Sequence, residues 1–223
     1  MTLLRHGRRA ARRAFSLVEM LIALTISSLL LTATMVALDT TFKGYEMNAD
    51  SASSNVVTRI AVNRLLTLIR TGTEFGPMPV DVLDSAQNPL VADYFEFVSE
   101  RDDDGDAVTI TRIEYRYPEE GAQYRSWGIG ETPPALSFEP SGPGDLYIVQ
   151  IDAETSAEEE FILLREVRSA QFTLRYDIGP HLRRATIDVT VEPAVPEDIK
   201  LESDAPPQVV RVVASAMPRQ LVN

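Results

Sequence analysis

From Phe15 to Leu38 the chain reads FSLVEMLIALTISSLLLTATMVAL, with Glu19 as its only charge. A helix that is apolar on all sides has no face to turn toward water and belongs in a bilayer. At ~1.5 Å per residue it covers roughly 36 Å, more than the ~30 Å of a hydrocarbon core. Beyond Leu38 the apolar positions thin to a stripe. Val57, Ile60, Ala61, Leu65, Leu68 and Ile69 recur three and four residues apart, which predicts that the helix continues to about Arg70 and lays one face on a core. Gly72 and then Gly76-Pro77 stop it. Two readings of the polar zone from Met47 to Asn55 stay open: a face turned to solvent or to another subunit, and a frayed or broken helix. Gly44 is a further weak point.

After Pro79 the apolar period falls to two. Tyr94, Glu96 and Val98 alternate with Phe95, Phe97 and Ser99, and Val108 to Tyr117 repeats the theme across an acidic turn, which predicts a β-hairpin. Leu146–Ile151, Phe161–Leu164, Gln171–Tyr176, Thr186–Glu192 and Val209–Ala214 are further strand candidates. The Pro-rich stretches 131–145 and 193–207 read as surface loops. The expected fold is therefore α+β, a long amino-terminal helix packed on a mostly antiparallel sheet. Its divisions are a leader at 1–14, the membrane part of the helix at 15–38, the remainder of the helix at 39–72 and a β-rich head at 73–223.

Charge adds a direction. The formal net charge is −12, yet residues 1–14 hold five arginines and no acid, so that without them the rest of the chain stands at −17. Positive charge on one side of a membrane segment keeps that side in the cytoplasm and sends the acidic bulk across. Such a head repels phosphate backbones, and no general nucleic-acid binding is expected. Lysine occurs only at Lys43 and Lys200, so the positive charge is nearly all arginine, whose planar fork suits paired carboxylates. The absence of cysteine removes disulfides, thiolate metal sites and thiol catalysis together.

Three ordinary readings of the amino terminus fit incompletely. A secretory signal peptide has an apolar region of ~7 to 15 residues without an acid, and a small-x-small cleavage site, which is not clear near Leu38. A twin-arginine export signal accounts for Arg12-Arg13-Ala14-Phe15, but such signals are less greasy. A generic signal anchor tolerates Glu19 near the headgroups without giving a reason for it. An Arg-rich leader, a small residue, Phe15, and an acid at the fifth position of a long apolar helix together resemble the signal of type IV prepilins and type II secretion pseudopilins.

That resemblance implies a pilin-like fold and a structural role. It implies cleavage by a prepilin peptidase between Ala14 and Phe15, N-methylation at Phe15, Arg12 and Arg13 as leader charge, and Glu19 as an assembly residue. The implied partners are the peptidase, other pilin or pseudopilin subunits and an inner-membrane assembly platform. The implied location is a single pass through the inner membrane, with the amino terminus cytoplasmic and the head periplasmic or extracellular. A carboxylate among apolar side chains in a bilayer costs about 2.5 to 3.5 kcal/mol, so Glu19 needs a partner. The partner that the family supplies is the new terminal amine of a neighbouring subunit, which sets axial register because a shifted helix leaves both charges unpaired. Ala14 stands where the family has glycine, a mild departure that predicts slower processing. The segments LLREVRSAQFTLRY and LRRATIDVTV are similar to J-type minor pseudopilins, with a W-type minor pilin nearly as good a match.

Catalytic constellations are missing. His6 and His181 are the only histidines, and His181 after Gly179-Pro180 reads as a turn residue. No GxSxG or Walker sequence occurs. The stretch ERDDDGD, Glu100 to Asp106, is not an EF-hand, because Thr111 falls where the loop's twelfth position needs a bidentate acid. A looser calcium site on Asp102, Asp104 and Asp106 competes there with a solvated hairpin turn; otherwise no cofactor is expected. Tyr124 and Trp127 read as packing residues. A signal-anchored periplasmic binding or enzymatic domain is the alternative function.

Overall fold

The computed structural model describes residues 16–118, 123–179, 181–192 and 209–219. It opens with one helix, α1 (Leu17–Thr71), followed by β1 (Thr73–Gly76), β2 (Leu90–Ala92), β3 (Tyr94–Arg101), β4 (Ala107–Arg116), β5 (Ser126–Gly128), β6 (Gly144–Asp152), β7 (Glu158–Asp177), β8 (His181–Val191) and β9 (Val210–Ala216). The chain forms two compact units, residues 1–47 and 48–223, and α1 contributes to both. No break interrupts it at Gly44 or across 47–55, so the frayed reading of that polar zone is corrected. Helix propensity there is adequate, since alanine and methionine offset the serines and asparagines.

In the second unit, α1 buries Thr58, Ala61, Val62, Leu65 and Ile69, a stripe with the three- and four-residue spacing of one helical face. The sequence pattern placed that stripe slightly wrongly. Val57 and Ile60 are exposed, because the face that meets the sheet is centred on Leu65, with the small residues Thr58 and Ala61 admitting a close approach. Thr58 satisfies its own hydroxyl on the carbonyl of Ser54 at 2.7 Å, so a polar residue is accommodated in the contact. The core beneath is aromatic. Phe95 meets Phe172 edge-on with centroids 4.8 Å apart, and Phe97 packs on Phe75 and Phe95 at 5.5 and 5.9 Å.

All strand pairs of the nine-stranded sheet are antiparallel, in the order β1-β3-β4-β6-β7-β2-β5, with β8 and then β9 on the other side of β7. The two strand candidates Phe161–Leu164 and Gln171–Tyr176 are one strand, β7, of 20 residues. Its first half pairs with β6, and its second half pairs with β2 on that same side and β8 on the other. The change of neighbours falls at a register shift beside Val167, next to Glu166 in the left-handed region at φ 57°. Tyr115 stabilises the shift from below: its hydroxyl donates to the carbonyls of Val167 and Arg168 at 3.0 and 2.9 Å. Burial holds that phenol well above the ordinary tyrosine range, so it stays a donor.

Three short strands, β1, β2 and β5, have no periodic signal in the sequence because three or four residues are too few to show one. They depend on tertiary partners. Asn88 fixes the approach to β2 by donating to the carbonyls of Val82 and Tyr176 at 2.7 and 3.0 Å while accepting from the Tyr176 amide at 3.0 Å. His181 is not a turn residue; it starts β8 opposite Asp177. Of the expected loop 131–145, residues 131–143 carry no strand, but Gly144 and Asp145 already belong to β6, paired with β4 and β7; 193–207 lies outside the described residues.

The core and the β7 shift should respond differently to substitution. Leu65→Ala, at a fully buried position, is expected to destabilise the head by about 3 to 5 kcal/mol through lost burial and a residual cavity. Tyr115→Phe should cost about 1 to 3 kcal/mol by leaving two carbonyls without a donor. Urea unfolding of the detergent-solubilised chain, followed by Trp127 fluorescence, reads both.

Candidate functional site

The apolar half of α1 starts with a cap. Ser16 Oγ accepts the amide of Glu19 at 3.2 Å, and the Ser16 carbonyl accepts the Met20 amide at 3.1 Å, which closes the first turn. Ser16-Leu17-Val18-Glu19 is thus the Ser-x-x-Glu pattern of a capping box, and Glu19 sits in the first turn, where the helix dipole favours an anion. The sequence reading took Glu19 as a charge in an apolar run and missed this second property, although the four letters carry it. The two are compatible. A cap fixes the helix start next to the acid, so the carboxylate has a defined height on the helix.

Within the described residues the Glu19 side chain is exposed and has no ion-pair partner. Leu17, Met20, Leu24, Leu29, Leu31 and Met35 around and beyond it are all more than half exposed, so this apolar surface is uncovered on every side. One helix here, Leu17–Thr71, is long and apolar enough to cross a membrane. Its hydroxyls do not spoil that. Thr25, Ser28, Thr32 and Thr34 each donate to a carbonyl three or four residues back, at 2.8 to 2.9 Å, and present little unsatisfied polarity to lipid. The first acid–base pair, Asp39 and Lys43 at 3.0 Å, comes directly after the apolar run ends. Ala14, Phe15, Arg12 and Arg13 lie outside the described residues.

Residues 9–35 match the family described as the prokaryotic N-terminal methylation motif. The amino-terminal segment is thus similar to that of prepilin-type proteins. Comparisons with curated proteins and with solved structures each gave no match. The matched residues comprise the arginine-flanked leader end, Ser16, Glu19 and the apolar first turns of α1, and the motif implies processing by a prepilin peptidase and assembly with other pilins. The chain also has a pilin-like architecture, one long amino-terminal helix packed on a mostly antiparallel sheet. Among the described residues, the motif and one helix long and apolar enough to cross a membrane coincide at the amino terminus.

The β-rich head carries a charged row on the sheet face turned away from α1. Glu114 of β4, 1% exposed, is flanked along its own strand by Arg112 and Arg116. Arg112 reaches Glu96 of β3 at 3.2 Å, and Arg116 grips Glu160 of β7 with two bonds of 2.8 and 3.0 Å. Both guanidinium groups also lie over tyrosine rings, Tyr124 and Tyr147, at 4.7 Å. Burial opposes the charge on Arg116, but the Glu160 hydrogen bonds and the Glu114 carboxylate outweigh it and hold the guanidinium above its ordinary value. Arg116 in turn holds the Glu160 carboxyl below its own. Tyr124 donates its ring to this network and packs on Tyr94 at 5.0 Å, and Trp127 is buried in β5, so both are packing residues.

At the β3–β4 turn, Asp102 Oδ1 accepts the amides of Asp104 and Asp106 at 3.1 and 2.7 Å, and Gly105 adopts φ 92°. The acids of ERDDDGD thus serve first as turn formers. Among the described residues no three His, Cys, Asp or Glu side chains are grouped as metal ligands.

Because Glu114 is buried between two arginines, losing one should cost more than a surface ion pair does. Arg116→Met is expected to destabilise the head by about 3 to 5 kcal/mol, and adding Glu114→Gln should recover much of it by removing the uncompensated charge. Urea midpoints of the two variants test this; equal midpoints for single and double variant contradict it.

Proposed function

We propose that the chain is a minor pilin or pseudopilin subunit, built into a type II secretion pseudopilus or a type IV pilus. The observation that carries this is the methylation motif placed on a capped, uncovered apolar helix whose first turn holds an acid. In this reading residues 1–14 are cytoplasmic and the head is delivered to the far side of the inner membrane, as the leader arginines favour. A prepilin peptidase hydrolyses the Ala14–Phe15 amide, leaving a carboxylate on Ala14 and a free amine on Phe15; the neutral amine then takes a methyl group from a sulfonium methyl donor, which leaves as a thioether, and the methylated amine is protonated in water. N-methylation keeps the positive charge.

Glu19 then has its counter-ion. The ammonium group of one subunit meets the carboxylate of its neighbour inside the apolar core of the filament, where each charge alone is costly. The inner-membrane assembly platform supplies the place of assembly. The head is an acidic, loop-bearing domain suited to contacts with sister subunits near the filament tip, in the manner of a J-type pseudopilin or a W-type pilin. The strand pair β7–β8 holds the two segments that suggested this subtype.

Intact-mass and terminal-peptide measurements on membrane-fraction protein should give a mature chain beginning with N-methylated Phe15; an unprocessed Met1 terminus, or a cut after residue 30, returns the protein to the class of anchored periplasmic domains. Glu19→Ala should insert into the membrane as well as the parent or better and fail to enter sheared fibres. Assembly at the parent level would remove the register role.

A further inference from the structure

Ser16 is the residue before α1 and is not itself helical. Its hydroxyl accepts the Glu19 amide at 3.2 Å, and its carbonyl accepts the Met20 amide at 3.1 Å as the first bond of the helical ladder. In a helix continued backward, the Glu19 amide would bond instead to the Phe15 carbonyl, and the Val18 amide to the Ala14 carbonyl. The Ser16 hydroxyl therefore competes directly with extension of the ladder.

Extension has much in its favour. Arg8 to Ala14 consists of arginine and alanine alone, both strong helix formers, and Ala14 stands where glycine, which weakens a helix, is the rule for such leaders. The macrodipole disfavours arginine at a helix start, but that effect is spread over a turn and screened by salt, so it selects no single residue as the boundary. The cap does. An amide inside the ladder has its carbonyl tied to the residue four positions on, and a peptidase reaches it only after that turn opens. An amide ahead of the cap needs no such opening.

We propose, resting on the processing step of the proposed function, that Ser16 is a positioning residue for the prepilin peptidase. Its cap stops α1 at Leu17 and keeps the Ala14–Phe15 amide outside the ladder, with Phe15 and Ser16 between the scissile bond and the first helical residue. The hydroxyl acts through the backbone it holds and makes no contact with the reacting atoms. Because Ala14 favours the helix more than glycine does, this chain depends on the cap more than a chain with glycine there.

Two measurements on the full, uncleaved chain in detergent test this. Carbon-13 Cα shifts of residues 14–18 mark the helix start, which should lie at Leu17 in the parent and move back to Ala14 in Ser16→Ala. Initial rates of cleavage by purified prepilin peptidase should fall about fivefold in Ser16→Ala. Ser16→Asn and Ser16→Thr, which cap, and Ser16→Gly, which lacks the hydroxyl but starts helices nearly as well as serine, should stay within about twofold of the parent. Ser28→Ala, which removes a hydroxyl bonded to the Thr25 carbonyl inside the helix, should match the parent. In an Ala14→Gly background the penalty of Ser16→Ala should shrink to about twofold or less. The role is overturned if Ser16→Ala is cut at the parent rate, or if its helix start stays at Leu17. It is equally overturned if Ser16→Gly is as slow as Ser16→Ala, which would assign the hydroxyl to direct recognition by the enzyme. A parent chain that is not cut at all removes the processing step and this role with it, whereas a cut parent with indifferent Ser16 variants removes the role of the cap alone.

Discussion

A single continuous helix has to satisfy two solvents. Up to Leu38 its side chains are apolar around the whole circumference, and beyond Asn48 they are apolar along one face only. Neither half is stable in the other's surroundings. The first would expose unbroken apolar surface to water, and the second would carry Asp50, Arg59 and Arg64 into hydrocarbon. Everything that follows in the fold is built on the second half: the sheet needs the Ala61–Ile69 stripe to cover Phe95, Phe97 and Phe172, and the stripe needs the sheet.

Glu19 belongs to the first half and departs from its rule. A carboxylate at that depth is tolerable for the isolated helix because the Ser16 cap and the dipole of the first turn both favour an anion there. Those effects are worth on the order of 1 kcal/mol each, less than the cost of burying the charge when other helices surround it. The balance changes only if a cation arrives with them; in the function proposed above, cleavage before Phe15 makes one. In that proposal, processing and assembly are linked by a single electrostatic requirement.

In the head, β7 plays the corresponding role. It pairs with β6, β2 and β8, and it exchanges β6 for β2 at a bulge whose Val167 and Arg168 carbonyls accept from Tyr115 of β4. One local irregularity therefore marks where the strand changes from β6 to β2 on one side and takes up β8 on the other. The buried Arg112–Glu114–Arg116 row lies on the outer face of this sheet. It fixes β3, β4 and β7 relative to one another through side chains as the ladder does through the backbone.

The sequence alone was enough for the long apolar first half of the helix, the helix end near Arg70, the β3–β4 hairpin with its Asp-rich turn, and the amino-terminal methylation motif, because each is written in neighbouring residues: an unbroken apolar run, a three-four spacing, an alternation, a short motif. Its account of Glu19 stopped at charge, although Ser16 three residues earlier already carried the cap. Tertiary structure decided the rest. Val57 and Ile60 have the spacing of core residues but are left exposed, since the width of the contact is set by how closely the sheet approaches Thr58 and Ala61. Likewise, β1, β2 and β5 exist because Asn88 and the long strand beside them complete their hydrogen bonds, and β7 is one strand because its two halves find different neighbours. Local patterns follow from the covalent chain; which residues become partners across dozens of positions follows from packing, and no short stretch of sequence contains that information.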